Sequence, residues 1–322
     1  MRPSLQRRSL ILGAGASALT VGEVHSMPAP TAAESPPPPP GVPPPPPPPA
    51  PGPLSLIEAR TGGRLGVLGW DIESGARAQN RMKEHFPMCS IFKALLAPAV
   101  LEMVDRGALR LDQNIKFGRT DLLDYAPVAR AALSKGSLSV GELCAAAVEL
   151  SDNTAANLLL SLVDGPQGLT QTLRRWGDPD TRLDRNEPTL NECRPGDPRD
   201  TTMPLVLGYT LHRLILGSVL QPKSRDLWLA WMRNCQTGKD KLRAGLPSGV
   251  LVGDKTGNNA RDTMNDIAIV ELPGRKPILI LAFLTEAKID TKAQPAILAE
   301  VGRTVMAELE VQAAARGKPI HG

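Results

Sequence analysis

The chain has 322 residues and a formal charge of +4, with 37 basic residues against 33 acidic ones. So near a balance argues against nucleic acid as a partner, because phosphate binding needs a concentrated basic surface. Four cysteines (Cys89, Cys144, Cys193, Cys235) show no Cys-x-x-Cys spacing and four histidines (His25, His85, His212, His321) are scattered, so neither a metal site nor a cofactor is expected.

Residues 1–33 read as an export signal. Arg7-Arg8-Ser9-Leu10-Ile11 and a mildly apolar run through Val21 are similar to a twin-arginine signal, whose cargo crosses the membrane already folded. The run is too short and too rich in glycine to anchor the chain, so no stable membrane insertion is expected after cleavage behind Ser26 or Ala33. The expected location is therefore the periplasm or cell envelope. Residues 34–53 are dominated by proline, which has no amide donor for helix or sheet, so they should form an extended linker of about 3.1 Å per residue.

From residue 54 the composition becomes globular, and one catalytic domain is expected over 54–316, followed by a tail at 317–322. The apolar stretch 65–72 with Glu73-Ser74-Gly75 predicts a strand hairpin. Beyond Ser90 the period turns helical, with Leu95, Leu96, Val100, Leu101 and Val104 on one run that stops at Gly107. Further helices are predicted over 140–150, 153–162, 204–217 and 223–233. The runs 249–255, 266–272 and 277–284 then read as strands, the last two joined by Pro273-Gly274-Arg275-Lys276. Ile297, Val301, Val305 and Leu309 predict a closing helix that Gly317 would end. The fold class is therefore α+β (α/β in the broad sense). An antiparallel sheet is built from both chain ends (54–86 and 239–316) and flanked by helices, with an inserted all-α lobe over 87–238 and a cleft between the two.

Ser90 and Lys93 are three apart at the start of a predicted helix, so the spacing holds a hydroxyl beside an amine, a nucleophile with a possible base. The helix N-terminus would favour an oxyanion forming there. Alone, Ser-x-x-Lys is more often an ordinary helix start with a surface lysine. Here it is followed by Ser151-Asp152-Asn153, by Glu187-Pro188-Thr189-Leu190-Asn191, and by Lys255-Thr256-Gly257. In order and type these motifs resemble the class A serine β-lactamases, within the wider set of penicillin-recognising serine enzymes. The resemblance extends through 150–160 and 182–188.

That resemblance implies a β-lactamase/transpeptidase-like fold and a hydrolase that opens the amide of penicillins and cephalosporins, conferring resistance to them. It implies Ser90 as nucleophile, with Lys93, Ser151 and Glu187 as the other catalytic groups. The N–H groups of Ser90 and Asn258 would form the oxyanion hole. Asn153, Asn191, Lys255, Thr256, Gly257 and Asn258 would bind substrate or water, with Lys255 and Thr256 on its carboxylate. An arginine that many relatives place on the next strand is missing, since Thr263-Met264-Asn265 stand there; Lys241 is favoured over Arg243 as its substitute. An Arg185–Asp200 pair would close the loop that carries Glu187, and the Glu187–Pro188 bond would be cis. The partner of Cys89 found in carbapenem-hydrolysing relatives is absent, as is that of Cys144, so free, buried thiols are expected. A monomer acting on a small β-lactam is expected. The rival functions are a D-Ala-D-Ala peptidase and a non-hydrolysing β-lactam sensor, and the Glu187–Asn191 pair argues against both.

Overall fold

The computed structural model describes residues 51–320, so the export signal, nearly all of the proline linker and the last two residues lie outside the described residues. The linker gives way to helix at its final residue. Pro53 is the first residue of α1 (Pro53–Thr61), where a missing N–H costs nothing, and Gly62 at φ 66° ends that helix in the left-handed region. No helix among the described residues is long and apolar enough to cross a membrane.

After α1 come β1 (Arg64–Asp71), β2 (Arg77–Asn80) and a two-residue strand, β3 (Phe86–Pro87). Helix α2 (Lys93–Asp105) follows, buried at every position from Lys93 to Leu101. A helix that is apolar all round belongs in the middle of a fold, and α2 is the axis on which the others pack. Around it lie β4 (Asn114–Lys116), α3 (Pro127–Ala131), β5 (Ser137–Ser139), α4 (Val140–Glu149), α5 (Asn153–Leu162) and α6 (Gly165–Arg175). Helix α4 begins with a reciprocal cap: Ser139 Oγ accepts from Glu142 N at 3.2 Å and Glu142 Oε2 accepts from Ser139 N at 2.6 Å. The stretch read from sequence as all-α thus also holds a short ladder, β4 with β5. A second short ladder pairs β3 with β6 (Thr201–Thr202).

The chain then forms α7 (Pro204–Leu216), α8 (Pro222–Arg233), β7 (Leu251–Asn258), β8 (Met264–Glu271), β9 (Ile278–Thr285) and α9 (Gln294–Ala315). The main sheet is antiparallel in the order β2-β1-β9-β8-β7, with Val67 opposite Ala282 and Thr256 opposite Asp266. The first strands therefore pair with the last, as the hydrophobic pattern predicted. Strand β9 is buried on both faces. Its residues Leu279, Leu281 and Phe283 face the helical core around α2, while Ile278, Ile280 and Ala282 join Val301, Val305 and Leu309 of α9. Gly69 lets α9 approach: a Cβ there would lie 2.2 Å from Val305 Cγ1.

Candidate active site

Residues Cys89–Phe92 form one 3-10 turn that runs into α2, and the packing of α2 carries Lys93 to zero exposure. Lys93 Nζ donates to Ser90 Oγ at 2.9 Å, Ser151 O at 2.8 Å, Asn153 Oδ1 at 2.6 Å and Ser151 Oγ at 3.4 Å. It also lies 2.9 Å from Glu187 Oε1. Burial lowers the Lys93 pKa from its ordinary value, and the Glu187 carboxylate opposes that shift. Ser90 Oγ donates to the same Glu187 oxygen at 3.2 Å.

The second serine stands at the junction of α4 and α5. Ser151 has φ 59°, a left-handed conformation that is costly for a residue with a Cβ, and there its carbonyl meets Lys93 while its hydroxyl accepts from Lys255 Nζ at 3.0 Å. Asp152 holds this corner. One carboxylate oxygen caps α5 by accepting from Ala155 N at 2.9 Å, and the other accepts from Val128 N and Ala129 N at 2.9 and 3.0 Å. From α5, Asn153 and Asn157 project four apart on one face. Asn157 Nδ2 donates to Glu187 O at 2.9 Å and its Oδ1 accepts from Glu187 N at 3.0 Å, so one amide side chain fixes both backbone groups of Glu187.

Glu187 sits in a loop with a cis Glu187–Pro188 bond. Asn191 Nδ2 donates to Glu187 Oε2 at 2.6 Å, while Asn191 Oδ1 is buried with no protein partner. The loop is closed where its two ends meet. Arg185 Nε lies 2.6 Å from Asp200 Oδ2, and Asp200 Oδ1 accepts from the backbone N–H groups of Asp184 and Arg185 at 2.7 and 3.0 Å. Arg185 Nη1 also meets Glu192 Oε2 at 3.0 Å.

Strand β7 ends the sheet, so its outer edge has no strand neighbour and faces the turn that carries Ser90. Gly257 permits this approach: a Cβ there would lie 2.6 Å from Met88 O and 3.0 Å from Ser90 N. Asn258 follows it on the same edge. Asn265 Nδ2, from β8, ties the turn down by donating to Pro87 O at 2.8 Å and Met88 O at 3.1 Å. Alternation along β7 sends Lys255 toward Ser151, and Asp254 and Thr256 to the side of the loop after α8. Burial lowers the Lys255 pKa to about 8. Thr256 Oγ1 shares a 2.6 Å hydrogen bond with Thr237 Oγ1.

Ser90, Lys93, Ser151, Asn153, Glu187, Asn191 and Lys255 are thus joined in one network of contacts, with Gly257 against the Ser90 turn. The chain matches the family described as "Beta-lactamase enzyme family" over residues 54–309. It belongs to the class A serine β-lactamases. It is 42% identical to beta-lactamase AST-1 of Nocardia asteroides over 250 residues, 78% of this chain and 80% of that protein. With beta-lactamase L2 of Stenotrophomonas maltophilia the identity is 44% over 248 residues, 77% of this chain and 82% of that one. Among solved structures, an ancestral (GNCA) class A β-lactamase is 52% identical with a TM-score of 0.77, covering 79% of this chain and 97% of its own. A β-lactamase from Xanthomonas campestris is 50% identical with a TM-score of 0.76, covering 78% and 94%. The protein is accordingly a hydrolase of β-lactams.

Several features of this β-lactamase were not assigned from its sequence. Asn157, Thr237 and Asn265 carry no assigned role in the sequence; for Asn157 the four-residue spacing from Asn153 is an available signal. Arg243 is drawn away from the cleft to Asp254, against which Gly238 packs so closely that no side chain would fit there. Lys241 Nζ instead donates to Thr237 O at 2.9 Å and to Asp240 Oδ1 at 2.7 Å, Thr237 being the residue whose hydroxyl meets Thr256. Phe117 is buried in the helical core. The four cysteines are free and buried, as expected, but Cys89 does face another cysteine: its sulfur is 3.3 Å from that of Cys193.

Proposed function

We propose that this β-lactamase hydrolyses penicillins and cephalosporins through an acyl-enzyme on Ser90, and that water activated by Glu187 releases the product. The observation that carries the reading is the convergence on one hydroxyl: Ser90 Oγ is 2.9 Å from Lys93 Nζ and 3.2 Å from Glu187 Oε1. Either group can take the Ser90 proton as its oxygen attacks the lactam carbonyl. A neutral Lys93 is favoured by burial. The outward N–H groups of Ser90 and Asn258 would receive the oxyanion, an interaction that strengthens as charge develops. Ser151, between Lys93 and Lys255, would pass a proton to the departing nitrogen, while Lys255 and Thr256 hold the substrate carboxylate, with Lys241 as the added positive charge.

The ester must then meet a water. Glu187 offers a carboxylate and Asn191 an unused Oδ1 beside it, two acceptors that would hold one water and take its proton. Gly257 would keep the strand close enough for the substrate to lie along it, and Asn153 would hold both Lys93 and the substrate's side-chain amide. We further propose that Arg7-Arg8 and the run after them direct export by the twin-arginine route to the periplasm or cell envelope, where a monomer would protect its host from β-lactams.

The test is intact mass measured alongside turnover of benzylpenicillin and a chromogenic cephalosporin. Ser90→Ala should take up no label, and Glu187→Ala should accumulate one acyl group per chain. Labelling of Ser90→Ala, or undiminished turnover by Glu187→Ala, would overturn the assignment. A wild-type adduct that persists after one turnover would favour the peptidase or sensor.

A further inference from the structure

Cys89 and Cys193 take no part in the hydrolysis proposed above, yet 104 residues of separation bring their sulfurs to 3.3 Å. A disulfide needs about 2.05 Å, so a little over an ångström of approach would join them. Cys89 opens the 3-10 turn that runs into α2 and Cys193 follows the turn at Thr189–Glu192, both at left-handed φ, 46° and 49°. Their surroundings differ. Cys89 has no exposure at all, whereas Cys193 keeps 8% and lines a cavity of about 840 Å³ bordered by Arg194, Pro195, Gly196 and Arg199.

We propose that Cys193 and Cys89 form a redox-active dithiol that reduces small-molecule disulfides entering this cavity, Cys193 attacking and Cys89 resolving. In the first step Cys193 loses its proton and its sulfur attacks one sulfur of R–S–S–R. The S–S bond breaks, one R–S group leaves and takes up a proton, and a mixed disulfide remains on Cys193. Cys89 then loses its proton and attacks the Cys193 sulfur, and the second R–S group leaves as thiol. Two cysteine thiols are oxidised and one disulfide is reduced to two thiols, so protons and electrons balance.

The electrostatics support this order of attack. The hydrogen bond from Cys89 holds the Cys193 thiol below its ordinary value, while that same contact and burial raise Cys89. The other two thiols serve as internal controls. Cys144 is buried among apolar side chains and Cys235 contacts the Thr237 hydroxyl, so each should stay reduced. The bridge would fasten the residue before Ser90 to the segment two residues beyond Asn191, tying the turn of the nucleophile to the loop of Glu187.

The experiment incubates the folded, full-length protein with hydroxyethyl disulfide, then denatures it in an alkylating agent and maps the peptides by mass. The expected wild-type result is a Cys89–Cys193 linked peptide, a loss of two hydrogens, alkylated Cys144 and Cys235, and a raised melting temperature. Cys89→Ser should keep one mixed disulfide on Cys193, and Cys193→Ser should show neither adduct nor bridge. Wild type in which both residues are alkylated would overturn the proposal, as would an adduct on Cys89 in Cys193→Ser. The wild-type readout needs no variant to fold, and it reads thiols alone, so it can fail while the β-lactam chemistry stands.

Discussion

Lys255 is a site residue whose charge changes within a few pH units of neutrality. Burial brings its pKa down to about 8 from an ordinary 10.5, so it is protonated at neutral pH and loses its charge as the pH rises through 8. If it binds the substrate carboxylate, KM should climb above pH 8 while kcat changes less. Lys255→Arg, whose guanidinium keeps its charge, should flatten that rise, and an equally steep rise in the variant would remove Lys255 from carboxylate binding. Asn157 supports a second expectation. Asn157→Ala would leave the backbone N–H and C=O of Glu187 without their partners, at about 1–3 kcal/mol for each buried group left unsatisfied. The melting temperature should fall and the acyl-enzyme should live longer. Unchanged values of both would mean that Glu187 is held by its loop alone. The residues named from sequence were legible because they fall in short motifs with a chemical reason for their spacing. Thr237 and Asn265 were not, since a hydroxyl in a loop or an amide in a strand carries no mark of the distant group it will bind, whereas Asn157 is marked only by its spacing from Asn153.

At the level of elements, the loop from Arg185 to Asp200 is the least self-sufficient part of the site. Apart from one turn at Thr189–Glu192 it has no helix or strand of its own, and it depends on its two ends. Asp200 is fully buried and accepts from Arg185 Nε and from two backbone N–H groups, so Asp200→Ala strands those two donors and takes from a largely buried guanidinium its nearest carboxylate, leaving it Glu192 and Asp197. The expected loss is about 3–5 kcal/mol in urea unfolding, as for other buried pairs broken from one side. Replacing both partners by apolar residues, Arg185→Met with Asp200→Leu, should recover part of it. A loss within about 0.5 kcal/mol for Asp200→Ala would mark the pair as a surface contact. Sequence periodicity found the elements that bury a regular face. Strands β7, β8 and β9 were legible as apolar runs bounded by glycine and proline, and α9 by its spacing of four. Helix α6 was not, because Gly165, Pro166 and Gly168 open it and disfavour helix; packing holds it instead, with Leu169 and Leu173 buried in the core. Helix α1 was hidden by the proline run that ends in its first residue.

The site draws its residues from both parts of the described chain, the sheet and the segment between β3 and α7. Ser90, Lys93, Ser151 and Glu187 come from the segment between β3 and α7, while Lys255, Thr256 and Gly257 come from the edge of a sheet whose inner strands include both the first strand and the last. Residues 51–320 fall within one compact unit, and the sheet's two faces are covered by different helices, α9 on one side and the core around α2 on the other. Leu309 is wholly buried between α9 and the sheet, far along the chain from every motif residue. Leu309→Ala should cost about 2–5 kcal/mol as a cavity in a packed core. Because β9 shares its two faces between the α9 cluster and the α2 cluster, that cost should be felt as one event. In urea, loss of turnover, loss of helical circular dichroism and exposure of the buried Trp228 should share one midpoint in wild type and one lower midpoint in Leu309→Ala. If turnover persisted past the loss of the other signals, or vanished well before it, the sheet and the helical segments would be unfolding separately, and the edge of β7 would not be held to the Ser90 turn by the cores on either side of the sheet.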